Sequence, residues 1–122
     1  MNFRDLSHKE RYLNLLSKMR TNDAYHRSAA YLMALADLPA DAVFDFRLSH
    51  IRHEAILDGW QTSSTLKTTR LLFNLWNATS CDFAADNPEK TASYYAVDEI
   101  FSNYEYAPWF MEAVRIRFEW DD

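Results

Sequence analysis

The apolar residues of this chain recur mostly every three or four positions, which is the spacing of one face of an α-helix. The pattern predicts helices over about 8–20, 24–37, 40–44, 64–78, 95–102 and 108–118, and a short one around Ile51, Ala55 and Ile56 that Gly59 ends as a C-cap. Phe44, Phe46 and Leu48 alternate instead, which leaves a short extended segment open at about 45–49. Because a lone strand makes no sheet, the fold class is predicted to be all-α.

Capping residues set several of the predicted helix ends. Ser7 and Glu10 have the spacing of a capping box, in which each side chain bonds the backbone N–H of the other residue. The run Thr21-Asn22-Asp23 ends the first helix and offers a cap to the second. In the hydroxyl-rich stretch that follows Gln61, Ser63 or Ser64 is the predicted cap of the next long helix.

The helix over about 64–78 is apolar on nearly every face, through Leu71, Leu72, Phe73, Leu75 and Trp76. A helix of this kind is usually buried. We therefore expect it to be the central element of a compact single-domain bundle of five to seven helices that spans residues 1–122.

Composition adds the class of protein to this picture. The chain has 122 residues, enough for one domain, and 48% of them are hydrophobic, while one Gly and three Pro argue against a turn-rich all-β fold. No apolar run approaches the ~20 residues that cross a membrane, and residues 1–9 are too polar for a signal peptide. Cys81 is the one cysteine, so no disulfide forms within the chain and the cytoplasm is the expected compartment.

Charge and aromatic residues are unevenly distributed. Residues 1–79 carry a net charge of +2, whereas residues 80–122 carry −7 and hold ten of the 19 aromatic residues. An acidic surface repels the phosphate backbone, so direct nucleic-acid binding is not expected. Acidic and aromatic side chains together favour a protein partner, unless the aromatic residues are core and the acids a solvated face.

The residue types of the common catalytic and metal motifs are present without the required spacing. His50, His53 and Glu54 would share a helix face, but their order matches no zinc peptidase motif and a third ligand is missing, so surface histidines beside an acidic edge formed by Glu54 and Asp58 are the main interpretation. One Gly excludes a Gly-rich phosphate loop, and the carboxylates form no recognisable acid–base pair. The sequence therefore predicts no catalytic residue, no metal and no cofactor.

Arg70, Asn74 and Asn77 are polar residues at helical spacing on the most apolar helix. One interpretation is a structural network, in which Arg70 holds a loop or a helix end and the two amides satisfy backbone groups. The other is a polar patch in a binding groove, with Trp60 and Gln61 as its second wall. The full set of candidate interaction or pocket residues is Trp60, Gln61, Arg70, Asn74, Asn77, Glu105, Trp109, Glu112 and Trp120.

Three stretches carry a resemblance to a known family: 59–64 (GWQTSS), 70–77 (RLLFNLWN) and 106–110 (YAPWF), the last followed by Ala113, Arg115 and Arg117. With the opening residues NFRDL at 2–6, they resemble a family of small uncharacterised proteins from Gram-positive bacteria. The resemblance covers most of the chain, least at 20–50 and 79–93. It implies no activity and no site residue, but it implies an occurrence in gut bacteria, often on mobile elements. The resemblance therefore favours a role as an inhibitor of host systems, such as an anti-CRISPR or another anti-defence protein.

Three functions follow as hypotheses. The first is a non-enzymatic protein-interaction module, an inhibitor that binds a host protein through its acidic, aromatic C-terminal face. The second is a small-molecule or enzymatic pocket near Trp60, Arg70 and Asn74. The third is a structural homodimer that uses Trp109 and Trp120 as interface anchors.

Overall fold

Six α-helices, two 3-10 helices and one pair of very short strands make up the part of the chain, residues 1–120, that the computed structural model describes. The α-helices are α1 (Leu6–Ser17), α2 (Ala24–Leu35), α3 (Ala40–Val43), α4 (Ser63–Asn77), α5 (Val97–Ile100) and α6 (Ala107–Phe118). The 3-10 helices span His53–Leu57 and Pro88–Tyr95, and the strands are β1 (Phe44–Asp45) and β2 (His50–Ile51). The all-α bundle predicted from the hydrophobic pattern is confirmed.

The most completely buried helix is α2, which packs against α1, α4 and α6. Every residue from 28 to 36 is buried, so this part of α2 is buried on all sides instead of along one stripe. Ala29, Ala30 and Ala34 are small enough to let neighbouring helices approach the α2 backbone closely. Tyr25, which the helical pattern assigns to the buried stripe, is 42% exposed.

Helix α4, predicted to be the central element, is instead the second buried element, and it packs against α2. Leu72 and Phe73 are 1% and 0% exposed, and Trp76 is half-buried against the same core. Thr68 and Thr69 are also fully buried, and their hydroxyls donate to the carbonyls one turn earlier. These internal hydrogen bonds explain how a hydroxyl-rich stretch tolerates a place in the core.

Two of the N-terminal caps differ from the predicted ones. The predicted box of Ser7 and Glu10 is wrong, because Asp5 is the N-cap of α1 and its carboxylate accepts the His8 N–H at 2.8 Å. Ser63 and Ser64 are wrong as caps of α4, because Thr62 caps it and forms a capping box with Thr65.

The predicted cap of α2 is confirmed at Asp23, whose carboxylate accepts the His26 N–H. Gly59 does not have a left-handed C-cap conformation, and the short helix before it is a 3-10 helix whose C-cap is Asp58. Within the described residues, four others do have a positive φ, all with side chains: Asp37, Ser49, Ala78 and Glu119.

The segment around 45–49 forms a turn between two paired strands. Phe44 lies opposite Ile51 and Asp45 opposite His50 in an antiparallel pair, and both apolar members are buried. The Asp45 carboxylate accepts the Leu48 N–H at 2.8 Å, which closes the turn. The extended alternative at 45–49 is therefore correct for Asp45 alone, since residues 46–49 form the turn, and Phe44, predicted to end a short helix, is in β1.

The segment from 79 to 92, in which the hydrophobic pattern predicts no helix, includes most of the 3-10 helix Pro88–Tyr95. This helix and α5 both pack against α4 and against each other, and no residue of the 3-10 helix is buried. Among residues 1–120, no helix is both long and apolar enough to cross a membrane.

Candidate functional site

Arg70 and Asp82 form a buried ion pair on the side of α4 that faces the segment after it. The Arg70 guanidinium donates from Nε to Asp82 Oδ1 at 3.2 Å and from Nη2 to Oδ2 at 2.8 Å. The two side chains are 12% and 4% exposed. This two-point geometry is the strong form of an arginine–carboxylate pair.

Asp82 also forms hydrogen bonds with two residues of the segment that follows it, Thr91 and Tyr95. The Tyr95 hydroxyl donates to Oδ1 at 2.8 Å, and the Asp82 N–H donates to Thr91 Oγ1 at 2.7 Å. Burial raises the pKa of Tyr95, and the Asp82 carboxylate raises it further, so the phenol stays protonated and remains a donor. We call Arg70, Asp82, Thr91 and Tyr95 the Asp82 cluster.

The Asp82 cluster holds in place a surface that we call the acidic layer, residues 83–105. Its exposed acids are Asp86, Glu89, Asp98, Glu99 and Glu105, and its one basic residue is Lys90. Its exposed apolar side chains are Phe83, Tyr94, Val97 and Tyr104. Tyr104 is 96% exposed and Val97 74%, values far from those of core residues.

A second buried polar residue, Asn103, holds the other end of the acidic layer. Its side-chain amide donates to the Ser64 carbonyl at 2.9 Å, and its Oδ1 accepts the N–H groups of Glu105 and Tyr106. The Ser64 hydroxyl lies 3.3 Å from a Glu105 carboxylate oxygen. The layer is thus tied to α4 near its N-terminus and, through Arg70, near its middle.

Asn74 and Asn77 act at the other end of α4, where the chain turns away. The Asn74 amide donates to the Thr79 carbonyl at 3.0 Å, and the Thr79 hydroxyl donates to Asn77 Oδ1. Between them Ala78 takes a left-handed conformation with φ 62°. Arg70 and Asn74 therefore have the contacts that the structural interpretation describes, because Arg70 holds a loop and Asn74 satisfies a backbone carbonyl. Asn77 differs from it, because its contact is with the side-chain hydroxyl of Thr79.

Both asparagines also line a groove of about 380 Å³ that we call the Arg117 groove, together with Tyr25, Leu75, Trp76, Ala78, Arg117 and Phe118. The Arg117 Nε donates to the Leu75 carbonyl at 2.7 Å. Its guanidinium lies 3.6 Å from the centre of the Tyr25 ring and 4.8 Å from that of Phe118. A cation at this place also stabilises the C-terminal end of α4.

The predicted second wall of a pocket lies elsewhere. Trp60 and Gln61 are outside the lining of the Arg117 groove. The Trp60 indole donates to Asp58 at 2.9 Å, and the Gln61 amide donates to the Ala55 carbonyl at 3.1 Å, so both brace the turn before α4. The structure brings Asn74 and Asn77 together with Trp76, and it places Arg70 in the Asp82 cluster.

The remaining candidates are spread along α6. Trp109 is half-buried near its start, with the Arg4 guanidinium 5.7 Å from its ring. Glu112 accepts the Asn2 N–H at 2.9 Å and pairs with Arg115 at 3.2 Å. Trp120 follows the end of α6, is 56% exposed and stacks on Phe118. Trp109 and Trp120 thus lie at opposite ends of a helix about 18 Å long.

The two histidines of the candidate metal motif lie on different elements. His50 is in β2 and exposed, but His53 begins a 3-10 helix and its ring packs against Phe73 at 5.4 Å and Phe83 at 5.0 Å. Burial lowers the pKa of His53, and the charge of His50 lowers it further. The expectation of a surface histidine is therefore wrong for His53. Within residues 1–120, no group of three His, Cys, Asp or Glu side chains is arranged to hold a metal ion.

Sequence reasoning missed Asp82, Tyr95, Asn103 and His8. Asp82 lies 12 positions after Arg70, so no helical spacing connects the two. The only available signal was that an arginine on an otherwise apolar helix requires a carboxylate partner, and residues 82–105 supply several. His8 lies in a predicted helix, but its burial depends on residues 1–4, for which no pattern predicts a position.

These features define a small helical bundle with one acidic, partly apolar outer layer and one aromatic groove. The chain belongs to a family of unknown function, DUF6075, whose sequence profile matches residues 1–121. No curated protein and no solved structure matches the chain. The resemblance to a family without an assigned activity is thereby confirmed, and the expected bacterial range and mobile-element association stay predictions.

Proposed function

We propose that this protein is a non-enzymatic interaction module that binds a basic protein surface through its acidic layer. The observation that carries the proposal is the exposure of Phe83, Val97 and Tyr104 on a segment whose exposed charges are nearly all acidic. Large apolar side chains are costly to leave in water, and a protein partner that covers them would recover that free energy.

The way the layer is held supports the same function. Segments that lack a packed core are usually mobile, yet the Asp82 cluster and Asn103 fix this one to α4 by hydrogen bonds and a buried ion pair. A surface that is ordered before it binds loses less conformational entropy on association. The five exposed carboxylates would speed the encounter with a basic partner and make it sensitive to salt.

The finer proposal concerns the kind of partner. A nucleic-acid-binding protein has a basic groove that suits an acidic layer, and a protein that occupies such a groove inhibits it. We propose that the chain is an inhibitor of this type, encoded on a mobile element and acting in the cytoplasm on a host defence protein. The overall charge of −5 is modest, so the local concentration of acids in residues 83–105 supports this proposal more than net charge does.

The test compares two double variants of equal charge. Asp86→Lys with Glu99→Lys alters the acidic layer, whereas Glu10→Lys with Glu54→Lys alters exposed acids outside it. Each pair replaces two acids by two lysines, so each changes the formal net charge from −5 to −1. We expect Asp86→Lys with Glu99→Lys to abolish capture of the protein that the wild-type chain captures. The control, Glu10→Lys with Glu54→Lys, should still capture it.

The captured protein is then purified and its affinity is measured at two salt concentrations. We expect the affinity of the wild type to fall at high salt and the partner to lose its nucleic acid when the complex forms. Equal capture by both double variants, or a partner with no basic surface, would contradict the proposed function.

A further inference from the structure

His8 occupies the third position of α1, where a capping box usually has Glu or Gln. Asp5, the N-cap, accepts the His8 N–H, and the His8 side chain reaches back to the backbone, where Nδ1 accepts the Arg4 N–H at 3.0 Å. The ring is 0% exposed, and its Nε2 lies 3.0 Å from the Tyr31 carbonyl oxygen in α2. The His8 imidazole thus connects the start of α1 to Arg4, which precedes the N-cap, and to Tyr31 in α2.

The two partners determine the protonation state of His8. A carbonyl oxygen only accepts, so Nε2 must carry a hydrogen, and a backbone N–H only donates, so Nδ1 must be unprotonated. The observed arrangement is therefore compatible with one form alone, the neutral imidazole protonated at Nε2. If Nδ1 also carried a proton, it would become a donor facing the Arg4 N–H, which is itself a donor.

Residues 1–4, which we call the N-terminal strap, combine this hydrogen bond to His8 with several other contacts. The Phe3 ring lies 5.1 Å from the His8 ring and 5.4 Å from Tyr12, ring centre to ring centre. The Tyr31 hydroxyl donates to the Asn2 carbonyl at 2.6 Å, and the Asn2 N–H donates to Glu112. The strap therefore covers Tyr12 and Tyr31, which are 4% and 0% exposed.

We propose that His8 makes the N-terminal strap sensitive to pH: a proton taken up from solvent at Nδ1 removes the acceptor of the Arg4 N–H and releases the strap from the aromatic surface beneath it. This device is independent of the acidic layer and of the proposed function. Its consequence is that a surface made of Tyr12, Tyr31 and His8 is closed at neutral pH and opens as the solution becomes acidic.

The charged groups around His8 oppose one another. Arg4 from the strap and Arg11 from α1 disfavour a charged imidazole, whereas Asp5 at the N-cap favours one. Tyr31 faces the ring as a neutral group, and Tyr12 lies beside Phe3 and Tyr31. Glu112 of α6 faces Tyr31 and Asn2 instead. Burial is the largest effect and lowers the pKa of His8. The closed strap has the lowered pKa, and the open strap has the ordinary pKa of 6.5. The closed strap is therefore fully favoured above pH 6.5 and becomes progressively less favoured as the pH falls below that value.

The first experiment uses the wild-type chain. Nitrogen NMR of the histidine rings identifies the tautomer of His8, and hydrogen exchange of the Arg4 amide reports on the strap at the same time. We expect the Nε2–H tautomer at neutral pH, and opening of the strap, corrected for the intrinsic pH dependence of exchange, that increases by up to about tenfold for each pH unit below 6.5. Amides of α2 should remain protected, which distinguishes release of the strap from unfolding.

The second experiment uses variants. His8→Gln keeps an amide that can donate to the Tyr31 carbonyl but does not titrate, so exchange of the Arg4 amide should lose its pH dependence. His53→Gln is the matched control, because His53 is the other histidine whose pKa is lowered by burial, and it should leave that dependence unchanged. A doubly protonated His8 beside a protected Arg4 amide, or a pH dependence that persists in His8→Gln, would overturn the proposal. If His8→Gln does not fold, the wild-type tautomer and exchange data decide the question alone.

Discussion

The two sides of α4 are held to the rest of the molecule by different kinds of interaction. The side that faces α2 carries Trp76, whose ring lies 4.9 Å from that of His26, and the buried Leu72 one turn earlier. The other side carries Arg70, whose guanidinium holds the segment after α4 through Asp82. Apolar contacts tolerate many residues of similar size, whereas a buried ion pair depends on two particular side chains and on their geometry.

This difference explains what each side contributes. The apolar side stabilises the whole bundle, because Leu72 and Trp76 pack on the side of α4 that contacts the central helix α2. The polar side fixes a layer with little buried surface of its own, and it does so without covering the exposed Val97 and Tyr104. Stability and surface presentation are thus assigned to opposite sides of one helix.

The strongest test of the apolar side is Leu72→Ala. Removing a buried leucine side chain leaves a cavity, and such changes cost about 2–5 kcal/mol of unfolding free energy. We expect one cooperative transition in chemical denaturation, shifted for all helices together. A loss below about 1 kcal/mol would show that the apolar side of α4 does not hold the bundle.

The matching test of the polar side is Arg70→Ala, which leaves the Asp82 carboxylate buried without its partner. We expect a loss of about 3 kcal/mol and a melting temperature lower by several degrees. The loss should be uneven: amide exchange should accelerate in residues 82–95 while α2 stays protected.

Asp82→Asn, alone and together with Arg70→Ala, completes a double-mutant cycle for this pair. We expect the two changes to be non-additive, since each removes the same interaction. Additive losses, or uniform loss of protection across the bundle, would contradict a role confined to the acidic layer.

The smallest effect is expected at the N-terminus of α4, which both sides share. Thr62→Ala removes the cap and its reciprocal bond with Thr65, so we expect a loss of about 1 kcal/mol. Ser63→Ala, at the neighbouring exposed hydroxyl, is the control and should change stability by less than about 0.5 kcal/mol. Thermal denaturation of the two variants in parallel measures the difference, and the reverse order would favour Ser63 as the cap.

The sequence predicts the apolar part of this comparison well. The periodic residues of α1, α2, α4 and α6 indicate helices within two or three residues of their observed bounds, because burial of an apolar stripe dominates their placement. Capping is predicted less well. Asp5, Ser7, Thr62 and Ser63 are all acceptable caps, and local sequence alone does not choose between neighbours of similar propensity.

For the polar side of α4, the sequence predicts the kind of contact but not the residue that makes it. Arg70 on an apolar helix indicates a buried partner, but Asp82 was one carboxylate among ten acidic residues in the last third of the chain. The choice among them depends on the path of the 3-10 helix, which has no strong periodic signal. For the same reason, Arg70, Asn74 and Asn77 form one polar row in the sequence and two separate sets of contacts in the structure.

The left-handed backbone positions bear on how this fold could be made more stable. Ala78 and Glu119 end α4 and α6 in a conformation that glycine adopts freely, whereas the one glycine of the chain, Gly59, has no such φ and has open space around its Cα. A side chain in that conformation costs about 1 kcal/mol. Glycine in place of Ala78 or Glu119 would therefore stabilise the ends of α4 and α6, although glycine is the residue that this sequence otherwise avoids.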